Sequence, residues 1–282
     1  MSAIPRVLAI AGTDPTGGAG LHADLKSISA NRGYGMGVVT ALVAQNTRGV
    51  RGIHLSPPEF LREQLDAVSD DVAIDAVKIG MLGTSEHAGV VSSWLNHARP
   101  PAVVLDPVMI STSGHGLLDP RALDDVRRLL DLVDLVTPNL LELGTLTGEG
   151  VARSWDEALQ QAQRLAIDSG TLVLVKGGHL GDSQSPDAIV DRSGVVSQVD
   201  GSRIETPNTH GTGCSLSSAL ATNFARFGSW ERALEVSKSW LSDSIRGADE
   251  LDVGEGRGPV HHFRALWRAG PDLTVEVAGA EG

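Results

Sequence analysis

Short apolar runs recur along the chain: "RVLAIAG" at 6–12, "GVVTALVA" at 37–44, "AVKIGML" at 76–82, "AVVLDPV" at 102–108, "DLVDLV" at 131–136 and "TLVLVKGG" at 171–178. Strands that are apolar without alternation are those covered on both faces, as in a parallel sheet. Between the runs, apolar positions switch to helical spacing. Leu21, Leu25 and Ile28 mark one helix face, and "PPEFLREQLDAV" at 57–68 opens with prolines suited to a first turn. The same spacing predicts helices over 85–97, 120–130, 138–146 and 155–168. Residues 187–206 break the rhythm with Ser-Gly and Asp-Gly turns, which predicts hairpins at a sheet edge, and two further helices follow near 212–227 and 230–247.

This order predicts an α/β fold: a mostly parallel central sheet with helices on both faces and an antiparallel edge extension. No linker rich in Pro, Gly or Ser divides the chain, so residues 1–270 are read as one domain and 271–282 as a C-terminal tail. Ligands of open α/β sheets bind outside the carboxyl ends of the strands, so the polar residues just after each run are the candidates for chemistry.

Charge narrows the partners. Lys and Arg number 23 against 35 Asp and Glu, a formal charge of -12, and a field of that sign repels nucleic acid and anionic lipid. It leaves room for a small polyanion held by backbone N–H groups, a lysine or a divalent cation. No apolar run approaches the roughly 18 residues of a membrane span. The first residues, with Arg6 inside their apolar stretch, are unlike a signal peptide, so a cytoplasmic location is expected. The single cysteine, Cys214, excludes an internal disulfide and a cysteine zinc cluster.

After the first run comes a glycine-rich turn, "GTDPTGGAGLHADLK" at 12–26. Its "GAGLHA" fits a dinucleotide fingerprint, but the second run ends at Gln45 instead of an acidic ribose partner. The chain has no Gly-Lys pair, which excludes a Walker A loop. What remains is close backbone approach to a small ligand, with Asp24 either accepting a hydrogen bond from it or simply solvated. Gln45 and Asn46 carry amides that suit the ring nitrogen and amino group of a heterocycle, or that satisfy a local turn. Asp106 ends the run in "VVLDPVM". Asn139 and Glu142 lie three apart on one face of a helix with Pro138 in its first turn. Carboxylates so placed suit Mg2+, which takes one or two protein oxygens and keeps its waters, although Glu142 could equally serve the helix dipole. Lys176 ends a strand where it could meet a phosphate or snorkel to solvent.

In "NTHGTGCSLSSALA" at 208–221 a helix begins near Thr212–Cys214, with Gly211 and Gly213 in the turn before it. Such a turn offers N–H groups and the positive end of a dipole to an anion. Cys214 there is expected to be more acidic than a free thiol. It could belong to a Cys-His hydrolase with His210, fill space as a buried residue, or sit beside an incoming hydroxyl.

Taken together, "AGTDPTGGAGLHADLK", "TALVAQNTRGV", "KIGML", "VLDPVM", "TPNLLE", "VKGGH", "NTHGTGCSLSSALA" and "GRGPVHHF" resemble, in order and spacing over residues 6–263, the hydroxymethylpyrimidine/phosphomethylpyrimidine kinases of thiamine biosynthesis, members of the ribokinase-like superfamily. The resemblance implies ATP- and Mg2+-dependent phosphorylation of 4-amino-5-hydroxymethyl-2-methylpyrimidine and then of its monophosphate. It implies a pyrimidine pocket of Gly12, Asp24, Gln45, Met81 and Val108, with Asp24 and Gln45 supplying the polar contacts. Asp106 and Glu142 would hold Mg2+, Asn139 and Lys176 would attend the ATP phosphates, and Gly211, Thr212 and Gly213 would line an anion hole with Cys214 beside the accepting hydroxyl. It also implies a homodimer. One departure is the absence of an expected lysine at or near Thr112, which shifts phosphate contact in the second phosphorylation onto Lys176. The rival reading within the fold is a pyridoxine or pyridoxal kinase.

Overall fold

The computed structural model describes residues 4–110, 114, 116–180 and 183–269. Thr112 and the 271–282 tail therefore lie outside the described residues. Eight strands form one sheet in the order β10-β9-β8-β7-β6-β5-β1-β2. β1 (Arg6–Ala11), β2 (Tyr34–Val39), β5 (Ala76–Ile79), β6 (Val103–Leu105), β7 (Leu135–Val136) and β8 (Leu172–Lys176) run parallel. β9 (Asp187–Asp191) and β10 (Gly194–Val199) then extend the edge antiparallel, as the turn residues predict.

The apolar runs are explained by helices on both faces. One face of β1, β5 and β6, carrying Leu8, Ile10, Val77, Ile79 and Leu105, packs under α2 (Pro58–Ser69), α3 (Ser85–Ala98), α4 (Leu123–Leu129), α5 (Leu140–Thr147) and α6 (Trp155–Ser169). The alternate residues, Val7, Ala9, Ala76 and Val104, pack under α1 (Gly20–Ala30), α7 (Thr212–Phe227) and α8 (Trp230–Arg246). Every helix that the periodicity predicts is present. Among the described residues no helix is long and apolar enough to cross a membrane.

The run "GVVTALVA" is not one strand. The chain leaves the sheet at Thr40, whose hydroxyl donates to the Met81 carbonyl at 2.6 Å while its N–H donates to Ala11 at 3.1 Å. Gln64 of α2 seals the break by donating to and accepting from the backbone of Val39. The second half becomes β3 (Ala41–Asn46), which pairs with β4 (Gly49–Leu55) in a separate antiparallel hairpin. Gln45 and Asn46 thus belong to a flap over the strand ends and do not end a buried strand. Similarly, only Leu135–Val136 of "DLVDLV" pairs in the sheet, because Leu130–Leu132 close a tight helical turn.

β1 has β2 on one side and β5 on the other, so the chain order reverses there and opens a crevice at the carboxyl ends. The 12–20 turn, Met81, Asp106 and Asn139 follow parallel strands at that end, and Lys176 is the last residue of β8.

Candidate active site

The floor of the crevice is a buried ion pair. Lys78 on β5 faces α1 and α7 and is completely buried, as is Asp24. The Lys78 Nζ donates to both Asp24 oxygens at 2.8 and 2.9 Å, and Ser218 of α7 donates to Asp24 Oδ1 at 2.8 Å. Burial alone would lower Lys78, but Asp24, Cys214 and Asp106 hold it above its ordinary value, so it stays an ammonium. Asp24, expected in the pyrimidine pocket, has no exposed surface here, and its carboxylate is engaged by Lys78 and Ser218. Lys78 escaped notice, although a lysine within the apolar "AVKIG" is itself a signal of a buried charge.

α7 begins directly above that pair. Gly211 caps it in the left-handed region (φ 79), which a side chain would strain. A Cβ there would also fall inside the Gly18 carbonyl group, so the two glycine-rich turns interlock. Gly213, in the first helical turn, looks onto the strand ends: a Cβ on it would stand 3.5 Å from Asp106 Oδ2 and 3.8 Å from Lys176 Nζ. Lys176 Nζ and Asp106 Oδ1 are 3.9 Å apart, and Thr137 donates to the same oxygen at 3.2 Å. A helix N-terminus, a lysine and a carboxylate therefore converge on one point.

Cys214 follows in the same turn and is half-buried. Loss of solvent around the thiol pushes it up to about 12; Asp24 and Asp106 add to this, and Lys78 opposes it. The acidified thiol expected from the helix terminus is therefore corrected, because desolvation and two carboxylates outweigh the dipole and the ammonium. His210 is not committed to the thiol either: its Nε2 meets Asp14 Oδ2 at 2.9 Å.

Asn139 and Glu142 form a capping box on α5. The Asn139 Oδ1 accepts from the Glu142 N–H at 2.9 Å, and Glu142 Oε2 accepts from the Asn139 N–H at 2.8 Å. Pro138 therefore precedes the cap and lies outside the first turn. Burial, and then the Asp106 charge, push the Glu142 carboxyl up to about 7, with Lys176 opposing. Two buried carboxylates in mutual repulsion fit a divalent cation. Among the described residues no group of three or more His, Cys, Asp or Glu is placed to hold a metal ion.

The pocket wall facing this centre is apolar. Met81 packs with Ala41 and Val43 of β3, and Val108 packs against them. A Cβ on Gly12 would lie 3.1 Å from the Met81 sulfur, so a side chain there would press the Met81 side chain back by a few tenths of an ångström. Gln45, half-buried, sits on the same hairpin at a bulge that shifts register after Ala44. Asn46 instead closes the hairpin turn by accepting from the Arg48 N–H. Gly12, Met81 and Val108 are thus gathered around Val43 of β3, two residues before Gln45 on the same strand, while Asp106, Glu142, Lys176 and Gly213 of the α7 turn form a second cluster.

The Phosphomethylpyrimidine kinase family model matches residues 14–261. The chain is 49% identical over 261 residues to the hydroxymethylpyrimidine/phosphomethylpyrimidine kinase of Escherichia coli, covering 92% of this chain and 98% of that protein. It is 53% identical over 268 residues to the thiamine biosynthesis multifunctional protein ThiED of Corynebacterium efficiens, covering 94% of this chain but 36% of that protein, and so spans about a third of that relative's length. Among solved structures, the ADP complex of Bacillus subtilis pyridoxal kinase matches with a TM-score of 0.86 at 28% identity, covering 94% of this chain and 100% of that one. The sheet order and flanking helices are those of the ribokinase-like fold that the motifs imply. With the family match running from the Asp14 turn to His261, the chain belongs to the phosphomethylpyrimidine kinases.

Proposed function

We propose that the chain transfers the γ-phosphoryl group of ATP to the hydroxymethyl group of 4-amino-5-hydroxymethyl-2-methylpyrimidine, and then phosphorylates the monophosphate to the diphosphate, in thiamine biosynthesis. The observation that carries this reading is the convergence of Gly213, Asp106 and Lys176 within 4 Å of one point. The pyrimidine lies between Met81, Val108 and the Gly12 turn, where the Gln45 amide can donate to a ring nitrogen and accept from the amino group. The hydroxyl oxygen attacks the γ-phosphorus, the bond to the β–γ bridging oxygen breaks, and ADP departs with that electron pair. Backbone N–H groups of Gly211, Thr212 and Gly213 receive the transferred oxygens, and Lys176, with the Asn139 amide, holds the phosphates in line.

Asp106 and Glu142 would hold Mg2+, which neutralises charge on the β- and γ-phosphates. Cys214 lies beside the accepting hydroxyl as a neutral thiol, so the hydroxyl proton passes late, as the new P–O bond forms, to an oxygen of the transferred phosphoryl group. This accords with phosphoryl transfer, in which positioning and charge neutralisation outweigh a strong base.

The likeness to a pyridoxal kinase structure favours a second reading, phosphorylation of pyridoxal, which the higher identity to the pyrimidine kinases weighs against. An ADP-release assay with hydroxymethylpyrimidine, its monophosphate and pyridoxal tests both. Turnover of the two pyrimidines is expected, and activity on pyridoxal alone would overturn the assignment. We further propose a cytoplasmic homodimer. Supporting the dimer, Leu42 on the β3–β4 hairpin is 57% exposed; a monomer in sedimentation at micromolar concentration would overturn that.

A further inference from the structure

Asp14 follows the first strand by three residues, is completely buried, and belongs to neither the pyrimidine pocket nor the metal pair. Its carboxylate accepts four hydrogen bonds. Oδ1 takes the Thr16 N–H at 2.9 Å and the Thr16 hydroxyl at 2.7 Å. Oδ2 takes the Ala19 N–H at 2.9 Å and His210 Nε2 at 2.9 Å. Burial alone would raise this carboxyl, but the His210 and Thr16 bonds hold it below the usual carboxylate range. An ionised acid only accepts, so the imidazole proton is on Nε2.

One carboxylate thus joins two loops that are 196 positions apart in the chain. On one side is the glycine turn that leads from Gly12 to α1. On the other is His210, which immediately precedes the Gly211 cap of α7 and whose own N–H donates to Gly258 at 3.0 Å. The glycine turn is held from behind as well. The Asp14 N–H donates to His22 Nδ1 at 3.2 Å, and Lys26 Nζ donates to the Gly17 carbonyl at 2.7 Å. Where the loops meet, Gly18 and Gly211 leave no room for side chains, and a Cβ on Gly18 would stand 2.8 Å from the His210 ring.

We propose that Asp14 and His210 are a positioning pair that sets the phosphate-receiving turn of α7 against the substrate-facing turn after β1. Neither touches the reacting atoms. The pair fixes the angle and depth at which Gly211–Gly213 meet Asp106 and Lys176, and so acts on the transition state more than on alcohol binding. Misplacing a catalytic group by about 1 Å can cost a hundredfold in rate.

This inference rests on the kinase reading for its activity readout, so the test carries a second readout that does not. His210→Leu and His210→Gln are compared with the wild-type chain for kcat, KM for the pyrimidine alcohol, melting temperature, and amide hydrogen exchange at residues 211–214. Glutamine can restore an N–H toward Asp14, and leucine cannot. For the leucine variant, kcat is expected to fall roughly 10- to 100-fold, with KM changed less than about threefold and faster exchange at 211–214. The glutamine variant is expected to recover most of kcat and the slow exchange. Equal impairment of both variants, kcat of the leucine variant within about twofold of wild type, or a loss explained entirely by the unfolded fraction at the assay temperature would each overturn the proposal. If the wild-type chain itself releases no ADP, the kinase reading fails, and unchanged exchange at 211–214 in the leucine variant still refutes the positioning pair.

Discussion

The Lys78–Asp24 pair offers the sharpest test of the site's architecture. Both side chains are fully buried, and Ser218 supplies the only other hydrogen bond that the described residues give Asp24. Lys78→Met nearly keeps length and shape but leaves Asp24 buried without its cation, so the acid, which burial already raises, must stay charged beside one hydroxyl or take up a proton. Removing one partner of a buried pair typically costs about 3–5 kcal/mol, whereas replacing both with apolar groups is often close to neutral. At about 2–4 °C per kcal/mol for a chain of this size, the single variant is expected to melt roughly 6–20 °C below wild type. The double variant Lys78→Met with Asp24→Leu should recover most of that loss. It should still phosphorylate poorly, because the positive charge beneath Asp106 and Cys214 is gone. Melting and urea midpoints of the four proteins close the cycle. A single-variant loss under about 1 kcal/mol, or a double-variant loss equal to the sum of the singles, would refute the account of Lys78 as a charge held in place by Asp24.

The two glycines of the α7 turn should separate stability from activity. Gly213→Ala adds only ordinary contacts with Asp106 and Lys176, so it should melt near wild type yet lose most turnover by filling the place of a phosphate oxygen; Gly211→Ala must displace the Gly18 carbonyl from a left-handed cap and should lose both, and full activity in either would count against the anion site. Cys214→Ala should lower kcat without abolishing it, and with the thiol pushed up to about 12 the rate between pH 7 and 9 should show no rising limb that the variant removes; complete loss of turnover in a folded variant would contradict this. His262, buried with Nε2 2.9 Å from the Ser215 hydroxyl, is pushed down to about 3 by burial and by Lys26. The unfolded chain therefore takes up a proton below pH 6.5 that the native chain refuses. The stability His262 contributes is complete above that pH and is lost toward pH 3 at no more than about 1.4 kcal/mol per unit. Melts at pH 7.5 and 5.5 should show a smaller drop for His262→Gln than for wild type, and equal drops would refute the assignment.

The sequence by itself determined the layers. From Val7 to Ala11 β1 is apolar at every position because helices cover both of its sides, and Leu216 and Leu220 keep their helical spacing because α7 packs on that sheet. The glycines before α7 were equally legible as its entry turn, with Gly211 as the left-handed cap, since a helix start follows from local pattern.

What the sequence could not decide depends on distance in space. "GVVTALVA" has no Gly or Pro at its break, and it divides at Thr40 because Met81, Ala11 and Gln64 are there to take the backbone. Asp24 was visible as a carboxylate on a helix, but its role was set by Lys78, 54 positions away, and by Ser218, 194 positions away. The acidity of Cys214 does not follow from its helix position alone, because the burial around it and the carboxylates of Asp24 on α1 and Asp106 after β6 come from elsewhere in the chain. Local pattern fixes which face of an element is buried, whereas the charge state of a buried group depends on neighbours that only the folded chain supplies.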